Sequence, residues 1–223
     1  MSRKAWFIIT IILMGSGMMA IVDMVISPNY WIKSILKLSI FIGIPLLLNL
    51  RFNYIPFKKV FFFQRHQLRI PMLLAVGVYV VIVTTYLFIG ELFDFSNVTR
   101  ALETDVGVTK ANFIFVAIYI SLINALVEEF FFRGIAFISL KNESQRHIAY
   151  SFSSIAFSLY HVGIMYNWFE VSFFLLLMFA LICAGLLFNW LNDHFNSLYP
   201  SWLVHACANL AINTIGLLLF SST

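Results

Sequence analysis

The chain has 223 residues, 61% hydrophobic and 11% charged, with a mean hydropathy of +0.92 and a net charge of +4. Soluble domains run at about 45–50% apolar and about 25% charged residues, so this composition excludes a soluble globular protein and indicates an integral membrane bundle. The basic residues are scattered with no aromatic-interleaved patch, which argues against nucleic acid as a partner; the small basic excess fits loops beside anionic lipid headgroups.

Apolar stretches of about 20 residues can cross the hydrocarbon core, and seven occur. The first, Trp6–Ile26, follows Ser2, Arg3 and Lys4 and so resembles a signal-peptide n-region. It is too long for an h-region and lacks a clear small-x-small cleavage site, so it reads as a retained anchor. Trp31–Leu50 is the second; Lys33 and Lys37 near its start are expected to snorkel to the interface. The segment from Arg51 to Arg69 holds Arg51, Lys58, Lys59, Arg65 and Arg69 and should be cytoplasmic.

Ile70–Ile89 forms the third span. The mixed polar stretch from Glu91 to Lys110 should lie outside, as a connecting loop with a short interfacial helix; gating of the outer face is the alternative. Phe113–Leu140 is the longest span, expected to be kinked, tilted or extended past the interface. The loop with Lys141 and Arg146 returns inside, Ile148–Met165 crosses again, and "GIMYNW" turns outside. Phe169–Leu191 and Leu198–Phe220 complete the set. The expectation is an all-α, polytopic membrane helical bundle of about seven transmembrane helices in the cell membrane. Its N-terminus is cytoplasmic and its C-terminus outside. Residues 1–110 would form the N-terminal spans and outer loop, and 111–223 a second unit, the core of the bundle.

Within the fourth span, "NALVEEFFFRG" carries Glu128, Glu129 and Arg133. Ionisable groups in a span are rare, cost a few kcal/mol each on insertion scales, and mark function. At about 100° per residue, Glu129 and Arg133 stand about 40° apart, one turn along one face, and can pair. Glu128 points about 100° from Glu129, which leaves it outside that pair and available for chemistry. The competing reading is a single structural charge network around Arg133.

Two further stretches favour chemistry. "FSLYHVG" places His161 in the fifth span, and "WLVHACANL" places His205 and Asn209 one turn apart in the seventh. By a rise of about 1.5 Å per residue, Glu128 lies roughly 20 Å from Lys141 and His205 roughly 10 Å from Leu198, depths that tilting can reconcile. A glutamate can deprotonate water, and histidine and asparagine can hold a developing oxyanion. Alternatively, Glu128, His161 and His205 can bind zinc with an open position for water. Both routes lead to peptide hydrolysis inside the membrane. No H-E-x-x-H pair is present, and no serine or cysteine nucleophile stands beside a base. Cys183 and Cys207 read as small buried residues in apolar helices.

The order E-E-x-x-x-R, F-x-x-x-H, H-x-x-x-N resembles the CAAX-protease and bacteriocin-processing (Abi) family, on Glu128-Glu129…Arg133, Phe157…His161 and His205…Asn209. The resemblance spans about Asn112 to Leu210, with no departure from the three motifs. It implies an intramembrane endopeptidase whose helices surround a conical cavity. Carried over by motif, Glu128 activates water, His161 positions that water or a metal, His205 and Asn209 form the oxyanion side, and Glu129 with Arg133 supports the site. Zinc held by Glu128, His161 and His205 and a metal-free glutamate route both fit, with a lean to the metal-free one. The chain resembles the bacterial branch. The resemblance therefore implies peptide or membrane-protein substrates such as pheromones, bacteriocin leaders or protein tails, in place of prenylated proteins, and a link to bacteriocin self-immunity.

Two rival functions compete with hydrolysis. A non-catalytic immunity or scaffold protein, regulating a peptide or kinase partner, would use the same fold for binding alone. A transporter would show inverted repeats and broken helices, and none is visible. Asp23 and Glu170 are expected at interfaces, and His66, His147 and His194 in solvated loops. Asn124 can hydrogen-bond Glu128 or a neighbouring helix, and Asn213 can extend the polar face of Asn209.

Overall fold

The computed structural model describes residues 1–63, 68–105 and 107–222. Among them, seven helices are long and apolar enough to cross a membrane: Arg3–Ile26, Tyr30–Phe52, Arg69–Leu92, Phe113–Glu143, Arg146–Met165, Val171–Phe195 and Tyr199–Phe220. Each coincides with a predicted span to within a few residues at its ends. The described residues include no strand, so the protein is an all-α, multi-pass membrane bundle. Arg65 and His66 of the basic loop lie outside the described residues.

Caps and turns follow from single residues. Ser2 starts the first span by accepting the amide of Ala5 at 3.0 Å, and its hydroxyl donates to Glu143 at 2.8 Å. The start of the first span and the end of the fourth therefore sit on one side. Asn29 caps the second span through the amide of Ile32. Asn53 and Asn196 end the second and sixth spans in the left-handed conformation, at φ 44° and 51°, which asparagine tolerates better than most residues.

The fifth span packs between the first and sixth and also against the fourth, while the seventh packs on the fourth, sixth and third. Close crossings occur where a side chain is missing. A Cβ on Gly185 of the sixth span would stand 2.9 Å from the Ser154 Cα, and one on Gly163 of the fifth 3.3 Å from the Ala20 Cα. Without a hydrophobic drive between helices in lipid, such approach plus polar cross-links holds them together. Asn189 supplies one set of links, to Ser153 Oγ, Ser154 Oγ and the Tyr150 carbonyl. Ser201 donates to Asn192 across the sixth and seventh spans. The third span is the least covered, with 6% of its apolar window buried; it lies along the seventh, where Tyr79 and Thr214 hydroxyls meet at 3.1 Å.

The fourth span is the longest, at 31 residues. Its α-helical register is interrupted by wider π turns at Ile120–Asn124 and Phe130–Ser139, which leave Ala125–Glu129 as a short α segment between them. Ser139 donates to the Gly134 carbonyl inside the second π segment. Such insertions re-aim side chains and concentrate at functional sites. Around this span the core is aromatic: Phe131, Phe132 and Phe137 are fully buried, and Phe131 stacks on Phe41 of the second span at 4.0 Å.

Several peripheral expectations need correction. Asp23 is 6% exposed and pairs with Lys33 at 2.8 Å. It is covered because Gly163 lets the fifth span close over it, and the partner charge comes from the second span. Lys33 turns towards Asp23 and keeps 20% of its side chain exposed. Cys183 is exposed on the outer surface of the sixth span and Cys207 is half-buried; both are free thiols. His147 and His194 are exposed, as expected, but occupy the terminal turns of helices; His194 stacks on Trp190. Glu170 is exposed at the start of the sixth span. The stretch from Glu91 to Lys110 contains a short helix, Ser96–Arg100, and is pinned by Phe93 stacked on Phe173 at 4.2 Å.

Candidate active site

Four spans deliver one cluster. Glu128 and Glu129 come from the short α segment of the fourth span, where both are buried, at 3% and 0% exposure. His161 comes from the fifth span, His205 from the seventh, and Lys37 from the second.

Glu129 pairs with Arg133 one turn on, at 3.4 Å, as the helical spacing requires. The same oxygen, Oε1, accepts the Nδ1–H of His205 at 2.9 Å, a bond that spacing within one helix cannot reveal. Arg133 is fully buried, with its guanidinium 4.0 Å from the Phe157 ring centroid and 4.9 Å from that of Phe188. A planar guanidinium suits such a sandwich, which an ammonium does not.

Glu128 is not left without a charge partner. Its Oε1 accepts from Lys37 Nζ at 2.5 Å and from Asn124 Nδ2 at 3.0 Å. The expectation of a free carboxylate, and of Lys37 at the interface, is thus overturned. Lys37 is 6% exposed, and its ammonium also donates to Asn124 Oδ1 and stands 5.0 Å from the Tyr160 ring centroid. A lysine stem can run inward or outward; here the anion inside decides, since a buried carboxylate without a partner is far costlier than a paired one. The signal in the sequence was the spacing of Lys33 and Lys37, one turn apart, which places two cations on one face.

The other oxygen of Glu128, Oε2, faces both histidines: His205 Nε2 at 3.6 Å and His161 Nε2 at 3.9 Å. Both rings have their other nitrogen committed. His161 Nδ1 lies 2.8 Å from the Phe157 carbonyl, which can only accept, so that nitrogen carries hydrogen. His205 Nδ1 donates to the Glu129 carboxylate. In the neutral imidazoles, therefore, two Nε2 lone pairs and one carboxylate oxygen converge at distances too long for direct hydrogen bonds. Phe157 packs against both rings, at 4.7 and 5.7 Å, and Phe188 stacks on His205.

Asn209 stands apart from this convergence: its amide donates to the Ile120 carbonyl of the fourth span at 3.2 Å. That carbonyl lies in the π turn. Asn213 extends the same seam, bonded to the Ala117 carbonyl and Ser121 Oγ. Asn124 does bond Glu128, one turn before it.

The donor chemistry of Glu128 Oε2, His161 Nε2 and His205 Nε2 is that of a zinc site, with each Nδ1–H oriented by an acceptor. Two features oppose that fit. Lys37 already places a cation on Glu128, and no group of three or more His, Cys, Asp or Glu side chains among the described residues stands in a metal-binding arrangement.

Residues 110–211 match the family model described as type II CAAX prenyl endopeptidase Rce1-like. The matched segment holds the whole E-E-x-x-x-R, F-x-x-x-H and H-x-x-x-N series, so the similarity to that family covers these motifs. The first three spans, Lys37 among them, precede it. Neither a curated protein nor a solved structure matches the chain.

Proposed function

We propose that this multi-pass membrane protein, Rce1-like over residues 110–211, is an intramembrane endopeptidase that hydrolyses a peptide bond of a membrane-associated peptide or protein. The observation that carries the reading is the convergence of Glu128 Oε2 with two histidine Nε2 atoms, each ring fixed through its Nδ1. Glu128 Oε2 and His161 Nε2 are two acceptors for a molecule with two hydrogens to donate, and water is the one hydrolysis needs; His205 Nε2 serves this reading in the ring's charged form, as a donor.

In this reading water gives one hydrogen bond to Glu128 Oε2 and one to His161 Nε2. Glu128 takes the proton as the water oxygen attacks the scissile carbonyl carbon. His205, held by Glu129, presents its Nε2–H as an imidazolium to the developing oxyanion. Asn209 keeps a second amide hydrogen beyond the one bonded to Ile120, and it would serve the oxyanion through that hydrogen. The C–N bond breaks, the leaving nitrogen takes the proton from Glu128, and a carboxylate and an amine depart. Burial of the reacting groups strengthens each of these interactions.

Zinc, when bound by Glu128, His161 and His205, would supply a more acidic water. Lys37 beside Glu128 favours the metal-free route. Loop charge supports a cytoplasmic N-terminus and an outer C-terminus. The family's printed description names CAAX prenyl substrates. The motif resemblance to bacterial members supports unprenylated peptides, pheromones, bacteriocin leaders or membrane-protein tails.

The test is incubation of purified wild type and Glu128→Gln with a membrane-peptide pool, reading new termini by mass spectrometry with and without a chelator. New termini in wild type alone support the reading; equal termini from both proteins overturn the role of Glu128. If no termini appear and Glu128→Gln still complements a deletion strain, the chain acts by binding, as an immunity or scaffold protein.

A further inference from the structure

We propose that Lys37, from the second span and outside the Rce1-like segment, is a positioning residue of the site that fixes which oxygen of Glu128 meets the histidines. This rests on the hydrolytic reading of Glu128.

A carboxylate has two equivalent oxygens and rotates readily about its last bond. Here they are not equivalent. Oε1 receives Lys37 at 2.5 Å and Asn124 at 3.0 Å, while Oε2 receives neither and faces His161 and His205. Lys37 also bonds Asn124 Oδ1 at 2.5 Å. The three groups form a closed triangle in which each bond fixes the other two. Asn124 alone would hold Oε1 through one bond from an uncharged donor; Lys37 adds a bond in which donor and acceptor both carry charge.

The lysine is itself held. Tyr160 and Phe41 lie within 5.0 and 5.7 Å of its ammonium. One turn earlier on the same face, Lys33 is tied to buried Asp23 of the first span. A π turn, Ser39–Gly43, follows Lys37 directly, and another, Val22–Ile26, contains Asp23. The first two spans thus brace a cation against the fourth, and the working unit is larger than the Rce1-like segment.

Three measurements on the full-length protein in detergent test this. The first is a thermal-unfolding cycle of Lys37→Met, Glu128→Gln and the double variant. Each single variant should lower Tm by several degrees, and the double variant should recover most of that loss because no buried charge is left unpaired. Additive losses would overturn the pairing. The second is ¹⁵N-histidine NMR. Lys37→Met should move the Nε2 resonances of His161 and His205, with exposed His147 and His194 unmoved as internal controls. Unmoved site resonances would overturn the positioning role even if no substrate were ever cleaved. The third is kinetic: Lys37→Met should lower kcat about 100-fold, the scale of a misplaced general base, with KM changed little. Full kcat alongside a confirmed pair would reduce Lys37 to a counter-ion and leave the hydrolytic role of Glu128 standing.

Discussion

His205 and Glu129 meet across the seventh and fourth spans, Nδ1 to Oε1 at 2.9 Å, and this bond aims the opposite nitrogen of the ring at Glu128. A carboxylate behind a histidine selects its tautomer and supports its charged form. Glu129→Gln keeps an acceptor for the ring but removes the charge. It should lower kcat on the order of 10- to 100-fold, the range for residues that orient a functional histidine. Single-turnover kinetics on the folded variant check this.

Arg133 has no exposure and has two aromatic faces and one carboxylate as partners. Arg133→Ala leaves Glu129 buried without its cation, at a cost of about 3–5 kcal/mol, and opens a cavity between Phe157 and Phe188. The variant should yield little monodisperse protein and unfold well below wild type. Arg133→Lys keeps the charge but not the stacked plane, and should recover only part of the loss. Size-exclusion profiles and Tm read both.

Asn209 separates two roles by different readouts. If its amide serves the oxyanion, Asn209→Ala should lower kcat by about 10²–10³, the range for loss of one such donor, with little change in Tm. If it serves only the Ile120 carbonyl, Tm should fall and kcat per folded molecule should hold. The oxyanion reading expects the first pattern.

Gly185 marks the tightest crossing of the fifth and sixth spans, 2.9 Å from backbone if a Cβ were added. Gly185→Val should force these helices apart, break the Asn189 bonds to Ser153 and Ser154, and destabilise by about 1–3 kcal/mol or more. Gly77 on the third span meets nothing within 4 Å, so Gly77→Ala should be neutral. Parallel Tm measurements of the two variants make the comparison.

A chelator should leave cleavage by the wild type unchanged. Loss of activity restored by added zinc would favour the route through Glu128, His161 and His205 over the one that Lys37 supports.

The seven spans and the Glu129–Arg133 pair were readable because both follow from one helix at a time: length, apolarity and a spacing of four. His161 and His205 were readable as chemistry-bearing residues for the same reason, since a histidine in a span stands out. What joins helices was not readable. Nothing in the spacing of Lys37 says that Glu128 lies opposite, and a lysine near a span end is ordinarily drawn outward. The burial of Asp23 was not readable for the same reason, because it depends on Gly163 of a distant span. Asn189 and Asn192, three residues apart in an apolar run, bond Ser153, Ser154 and Ser201 of neighbouring spans, links that the run itself does not announce.

The Lys37–Glu128 pair joins residues 91 positions apart, and that separation bears on how the protein is made. Synthesis runs from the N-terminus, so Asp23 is already in place when Lys33 emerges, and that pair can close at once. Lys37 then has to wait through the whole third span. A lysine a third of the way along a span disfavours insertion, by less than the about 2.5–3.5 kcal/mol of the centre, so the second span gains its full hold only when the fourth arrives. Completion of the Glu128 cluster and final seating of the second span are therefore one event in biogenesis, and a chain stopped before the fourth span should show the second span poorly inserted.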